Sequence, residues 1–304
     1  MAETVLVTGA SGFVGSRLAH ELTAAGHQVR VMTRDPEGYD GAGQPVFGDV
    51  SDPASLDEAL AGVHAAYYLV HSLESTDFEG MDADAASSFG SAAARAGAEQ
   101  IIYLGGLGDE DDDLSAHLRS RRQVEQLLGD AGVPVTVLRA AVVIGHGGIS
   151  WEITRQLIDH LPVMPAPDWL KTRTQPIALH DVIRYLLAVL GLAEAKGRMF
   201  EIGGPEVLRY LDMLQRAAAV QGKSLPSISI PLLTPALSSG GLALVTDVDL
   251  TTARNLVESM SNEVIVGDHS ITEIVPGDCM NYDDAVRQAL ADRAAANSEP
   301  SETS

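Results

Sequence analysis

The chain has 304 residues, room for one large α/β domain or one domain with a smaller lobe. Asp and Glu number 42 against 20 Lys and Arg, a formal charge of −22, and such a field repels nucleic acid and anionic lipid heads. A hydrophobic share of 45% excludes wholesale disorder, and no uncharged apolar run of about eighteen residues is present to span a membrane.

Glu3 leads straight into an apolar β-branched stretch, with no basic region and apolar core of a secretory leader. The single Cys279 forms neither an intrachain disulfide nor a cysteine metal cage. A cytoplasmic, reduced setting is expected. Only Lys171, Lys196 and Lys223 are lysines. Arginine in place of lysine, among many carboxylates, fits a salt-adapted protein whose charges are screened in brine, or a GC-rich genome alone.

Taken in chain order, residues 4–8 predict a short buried strand and 16–25 a helix stopped by Gly26. Strands follow at 28–33 and 45–47. A helix opens at Asp52-Pro53 and closes at Gly62. A fourth strand spans 65–70, an Ala-rich helix 78–96 and a fifth strand 100–104. A helix at 114–128 and a sixth strand at 133–139 complete the alternation, which predicts a doubly wound parallel sheet of Rossmann type. Beyond about residue 140 the rhythm changes. Helices are expected at 149–161, 181–192 (with Asp181 as N-cap) and 210–221, and extended segments at 175–179, 200–202 and 226–235. This half reads as late sheet elements mixed with a small C-terminal lobe of one domain covering 1–293. The polar residues 294–304 read as a disordered tail. No internal repeat is visible.

Between the first strand and first helix stands Thr8-Gly9-Ala10-Ser11-Gly12-Phe13-Val14-Gly15. Gly9 permits a tight turn, Gly12 lets backbone approach a pyrophosphate, and Gly15 lets the helix pack on the sheet. The free amides and dipole of the helix start, from Ser11 through Phe13 and Val14, would then hold phosphates. At the end of the second strand, Arg34 suits a 2′-phosphate and favours NADP(H). Asp35, one place on, could reach a ribose instead and keeps NAD(H) open. Asp49 and Val50 follow the third strand, where an adenine would lie. Asp49 either accepts from its amine or forms an Asx turn before Asp52-Pro53, and Val50 would pack on the ring.

With the Gly48-Asp49-Val50 step and the segment YLVHS, these residues resemble the extended and atypical short-chain dehydrogenase/reductase superfamily. Within it the chain looks like the NmrA-like branch related to the nucleotide-binding accessory subunit of respiratory complex I. YLGGLG, HLRSRRQVEQLL, LRAAVVIGHG and TRTQPIALHDV are similar to that branch's own blocks. The resemblance spans residues 4–293. It implies a Rossmann fold, a dinucleotide cofactor and either an oxidoreductase or epimerase-like enzyme, or a silent cofactor-binding sensor or assembly subunit.

The superfamily's Tyr-x-x-x-Lys pair and its Ser are replaced here. Glycines, Gly105 and Gly106, stand where Ser is expected, and His117 and Arg121 align with Tyr and Lys. His117 is therefore an alternative general acid, a remnant of a lost relay, or an ordinary surface residue beside the acidic run 109–113. Arg121 would clamp a ribose or phosphate. Val70 and His71, at the end of the fourth strand, would line the nicotinamide-ribose region, although His71 also suits a structural cap. Arg139 reads as facing a cleft or as a salt-bridge partner, and His180-Asp181 as bracing a helix start. Met164, Trp169 and the prolines at 162, 165 and 167 suggest an apolar loop, for core packing or a lipid-like substrate. The histidines are too scattered for a metal site. The partners expected are a small-molecule substrate and a second copy of the chain or an assembly partner; the resemblance implies dimers through a helix such as 78–96, whose residues equally suit core packing.

Overall fold

The computed structural model describes residues 3–72, 77–108, 114–230 and 246–298. It divides into two compact units. The first comprises Met1–Ala140, Ile183–Ile202 and Val266–Gly277; the second comprises Ala141–Val182, Gly203–Ile265 and Asp278–Ser304.

In the first unit, strands β1 (Thr4–Thr8), β2 (Gln28–Thr33), β3 (Gln44–Phe47), β4 (Ala65–Tyr68), β5 (Gln100–Gly106), β6 (Val135–Ala140) and the later β11 (Met199–Ile202) form one sheet. Its order is β11-β6-β5-β4-β1-β2-β3, and every pairing is parallel. The chain steps outward from β1 to β3, then returns to the other side of β1 to lay down β4. That reversal opens a crevice at the carboxyl ends of β1 and β4, where ligands of doubly wound sheets bind. Val5, Leu6, Val7, Ile101 and Ile102 are fully buried. Such runs suit strands covered on both faces.

Helices α1 (Phe13–Ala24), α2 (Pro53–Leu60), α3 (Phe78–Ala96) and α4 (Ala116–Gly129) flank the sheet. Asp52 caps α2 by accepting from the Ala54 amide at 3.1 Å. Small residues let α3 and α4 approach closely. A Cβ on Gly90 would lie 2.6 Å from the Leu128 carbonyl oxygen, too near for any side chain. Gly90→Ala is expected to force the helices apart and cost about 1–3 kcal/mol, read as a lower urea midpoint at unchanged m-value; an unchanged midpoint would contradict this packing. The apolar face of α3, with Ala86, Phe89, Ala92 and Ala93, is consumed in this core.

Across the sheet, a buried polar network ties segment 183–195 down. Gln100 Nε2 donates to Thr136 Oγ1 at 2.8 Å and to the Val189 carbonyl at 3.0 Å, while Gln100 Oε1 accepts from the Gly191 amide at 2.8 Å. Thr136 Oγ1 donates to the Ala195 carbonyl at 2.8 Å. Every polar atom of this buried amide is engaged, so it fixes geometry without an unmet donor.

The second unit has its own core around the fully buried Trp151. It contains α5 (Ile149–His160), β8 (Met164–Ala166), a 3₁₀ turn (Asp168–Lys171), α7 (Tyr210–Val220), α8 (Leu250–Ser259) and the final helix α10 (Tyr282–Ser298). Between these lie α6 (Leu179–Ala188) in the stretch joining the units and α9 (Ile271–Ile274) in the first unit. Three short strand pairs complete the second unit: β7 (Val143–Ile144) with β10 (Ile177–Ala178), β9 (Arg173–Thr174) with β12 (Leu208–Arg209), and β8 with β13 (Ser227–Ser229).

Several expectations need correction. Helix α1 begins at Phe13, three residues before the expected start, because Gly12 in extended backbone serves as its N-cap. Strand β4 ends at Tyr68, so Leu69, Val70 and His71 lie past the ladder. Strand β5 continues to Gly106. Asp181 lies inside the first turn of α6 and is not its cap; its Oδ2 accepts from the Met280 amide at 2.8 Å. Residues 294–298 belong to α10, since the run Ala294-Ala295-Ala296 has high helix propensity that outweighs its polar neighbours. The remaining expected tail, the acidic run 109–113 and residues 231–235 lie outside the described residues.

Candidate cofactor and reaction site

The turn after β1 is built by its glycines and by Thr8. Thr8 Oγ1 donates to the Tyr67 carbonyl at 3.1 Å and accepts from the Leu69 amide at 2.9 Å. This extends the β1–β4 connection beyond its last backbone rung. Gly9 turns with φ +66°, and a Cβ there would stand 2.8 Å from the Leu69 carbonyl oxygen. The Gly12 amide donates to the Gly9 carbonyl at 2.9 Å. Gly15 is buried where a Cβ would fall 2.2 Å from the same oxygen. The helix thus starts directly against the turn. No side chain caps α1 and its first turn holds no acidic residue, so the amides of Phe13, Val14 and Gly15 stand at an uncapped, positive helix end. Ser11 and Gly12 are exposed at this end. The arrangement suits a diphosphate.

Arg34, just past β2, is exposed and makes no ion pair with a described residue. Asp35, also exposed, accepts from the Gly38 amide at 3.1 Å through Oδ1, and its own amide donates to Thr33 Oγ1 at 3.1 Å. Asp49 forms the Asx turn, its Oδ1 accepting from the Ser51 amide at 2.9 Å and hydroxyl at 2.7 Å. Those bonds hold its carboxyl below the usual carboxylate range, and the nearby Arg34 charge pushes the same way. Val50 and Val70 pack partly against the core beneath this edge.

A second cluster forms where β4, β5 and α4 meet. Arg121 Nη1 donates to the Tyr103 hydroxyl at 3.4 Å. His117 stands one helical turn before Arg121, and both His117 and His71 feel the Arg121 charge. Protein packed round the half-buried His117 ring, then the charges of Arg121 and His71, lower its pKa to about 3. His71 meets solvent on one side. Crowding by protein on the others, followed by Arg121, depresses its pKa too. Burial raises the pKa of the Tyr103 phenol, with Arg121 opposing. Tyr68 stacks tilted on Tyr103 at 6.2 Å, and the buried Asp82 accepts from Ser120 Oγ at 3.5 Å.

Side chains crowd the two glycines that stand where Ser is expected. A Cβ on Gly105 would lie 2.8 Å from Glu125 Oε1, and one on Gly106 would lie 2.8 Å from Leu118 Cδ2. Glu125 is held there by Arg139, whose Nη2 donates to Oε2 at 2.7 Å, and by Arg122 at 3.1 Å. Arg139 is therefore a buried salt-bridge partner.

Sequence reasoning missed Tyr103, Tyr68 and Asp82. The available signal was tyrosine at 67, 68 and 103 in otherwise aliphatic buried strands.

The depressed His117 pKa has a sign that can be checked. From about pH 6.5 down to about 3 the unfolded chain carries a proton on this ring that the folded chain lacks. Stability therefore rises with pH across that window and falls as acid is added. His117→Gln is expected to flatten the fall of the urea midpoint between pH 7 and pH 4; parallel curves would show that the ring titrates normally.

A glycine turn and an uncapped helix start at the switch point of a parallel sheet, with an exposed arginine after the second strand, match a dinucleotide-binding protein of Rossmann type. A family model described as NAD(P)H-binding matches residues 9–160, and the chain belongs to that family. It is 29% identical over 232 residues to the (4-alkanoyl-5-oxo-2,5-dihydrofuran-3-yl)methyl phosphate reductase of Streptomyces griseus, covering 73% of this chain and 75% of the relative. It is 24% identical over 242 residues to a Mycobacterium bovis protein, covering 79% of this chain but 26% of that one, about a quarter of its length. In fold it matches the crystal structure of Citrobacter sp. triphenylmethane reductase complexed with NADP(H), with TM-score 0.77 and 16% identity over 94% of this chain and 100% of that one. Among the described residues no helix is long and apolar enough to cross a membrane.

Proposed function

We propose that the chain is an NADP(H)-dependent reductase acting on a small or apolar carbonyl or quinone-type compound. The observation that carries this is the Arg121–His117–His71 cluster at the carboxyl edge of the sheet that also bears the diphosphate cradle. When bound, the nicotinamide supplies or accepts a hydride. Gly9, Gly12 and the amides of Phe13, Val14 and Gly15 hold the diphosphate, and Arg34 grips the 2′-phosphate.

Arg121 gives a fixed positive charge that orients and polarises a substrate oxygen. His117, with its pKa lowered to about 3, is neutral at physiological pH. It offers a ring N–H as hydrogen-bond donor and holds no imidazolium proton to give. The proton needed at the reduced oxygen then comes from solvent, and the rate shows no histidine inflection between about pH 5 and 8. The Streptomyces griseus relative, whose substrate name carries alkanoyl and oxo groups, supports a carbonyl-bearing substrate. The carboxylate surplus supports a salt-adapted protein, and the lone Cys279 supports a reducing, cytoplasmic setting.

The same neutral histidine, with glycines and no hydroxyl at 105 and 106, favours a second reading: a silent NADP(H)-binding sensor or assembly subunit. Oxidation of NADPH against a panel of quinones and aldehydes in concentrated KCl separates the two. Turnover is expected, falling about 100-fold in kcat/KM for Arg121→Ala and partly restored by Arg121→Lys. Tight NADPH binding with no turnover of any panel member would leave the silent module.

A further inference from the structure

The second unit holds a cavity that the cofactor reading does not use. Helices α5, α7 and α8, strand β8 and the 3₁₀ turn wall it, with Leu157, Met164, Trp169, Met213, Leu214 and Met260 among its lining. Space that the centre of a water molecule can reach amounts to about 90 Å³. No lining residue is charged.

The few hydroxyls on the wall are mostly turned away. Thr154 Oγ1 donates to the Ser150 carbonyl at 2.9 Å, and Ser259 Oγ donates to the Leu256 carbonyl at 2.7 Å, each within its own helix. A sugar, a nucleotide or a carboxylate entering here would lose hydration with almost nothing to replace it. A hydrocarbon would lose none and would gain contact with three methionine sulfurs and an indole, surfaces that adapt to varied shapes. An apolar cavity of about 150 Å³ stays dry and takes up benzene; the smaller space here, about 90 Å³, receives the inserted part of a chain or ring.

We propose that this cavity is a binding site for the neutral hydrocarbon part of a small molecule, an aliphatic chain or a single aromatic ring system. The site stands on the second unit alone and does not depend on whether the first unit turns over a substrate.

Trp169 lines the cavity, so its indole emission responds to occupancy, and Trp169→Phe separates that response from the emission of Trp151. Titrating the full chain with n-decanol and, separately, with naphthalene is expected to give a saturable emission change with at least one probe. UDP-glucose is expected to give none. Saturation by decanol alone identifies a chain site; saturation by naphthalene alone identifies a ring site. Thr154→Phe, which fills the cavity from α5, is expected to weaken binding about tenfold or more while NADPH affinity and thermal midpoint stay within error, showing an intact fold. Calorimetry on Trp169→Phe is expected to show binding retained after the optical signal is lost. No saturable response to either hydrocarbon up to its solubility, or unchanged affinity in a folded Thr154→Phe protein, would overturn the proposal, as would UDP-glucose competing with decanol.

Discussion

Gly15→Ala is expected to abolish measurable NAD(P)H binding while leaving the sheet assembled. The new methyl carbon would fall 2.2 Å from the Gly9 carbonyl oxygen, 2.7 Å from its carbon and 3.0 Å from Ala10 Cα. All three are backbone atoms, so no side-chain rotation relieves the clash. Either α1 slides away from the turn or the turn swings off the Leu69 backbone, against which Gly9 is already packed. Both movements scatter the amides of Phe13, Val14 and Gly15 relative to one another, and a diphosphate needs them together. Overpacking of this kind costs about 1–3 kcal/mol in stability, a modest lowering of the unfolding midpoint. The loss of binding should be much larger. Calorimetry with NADPH, beside circular dichroism to confirm the fold, checks it; near-normal affinity in a folded Gly15→Ala protein would remove the cradle from the account.

Arg34→Ala is expected to separate the two cofactors. A guanidinium bonded to a phosphate contributes about 1.5–3 kcal/mol, so NADPH affinity should fall roughly 10- to 100-fold while NADH affinity changes little. The selectivity rests on Arg34 being exposed and without an ion pair among the described residues. Asp35 beside it accepts from the Gly38 amide at 3.1 Å through Oδ1 and keeps Oδ2 for a ribose hydroxyl, which suits either cofactor. Paired titrations with NADPH and NADH measure the effect, and equal losses for both would show that Arg34 serves the fold instead of the 2′-phosphate.

The alternation of apolar runs with Gly- and Asp-marked helix starts made the parallel sheet legible, because each buried strand is a nearly unbroken run such as Val5-Leu6-Val7. The tight turn after β1 and the close packing of α1 were legible for a related reason: the demands on Gly9 and Gly15 are steric and local, so residue type alone reports them. The second cluster was not. Arg121 meets Tyr103 across eighteen positions of sequence, and Glu125 crowds Gly105 only because Arg139 on the next strand holds it there. Pattern within one element cannot show contacts made between elements. Nor could spacing reveal that His117 is held neutral, since packing and the Arg121 charge do so jointly. The terminal helix was underestimated because polar composition was read as disorder where three consecutive alanines carry α10 to Ser298.

The central claim is that the amides opening α1 grip a diphosphate while Arg34 selects the phosphorylated adenosine. Isothermal titration of the unaltered protein with NADPH and with NADH, in concentrated KCl, tests it most directly. Saturable binding is predicted for both, tighter for NADPH. Heats indistinguishable from dilution for both nucleotides at millimolar concentration would contradict the account.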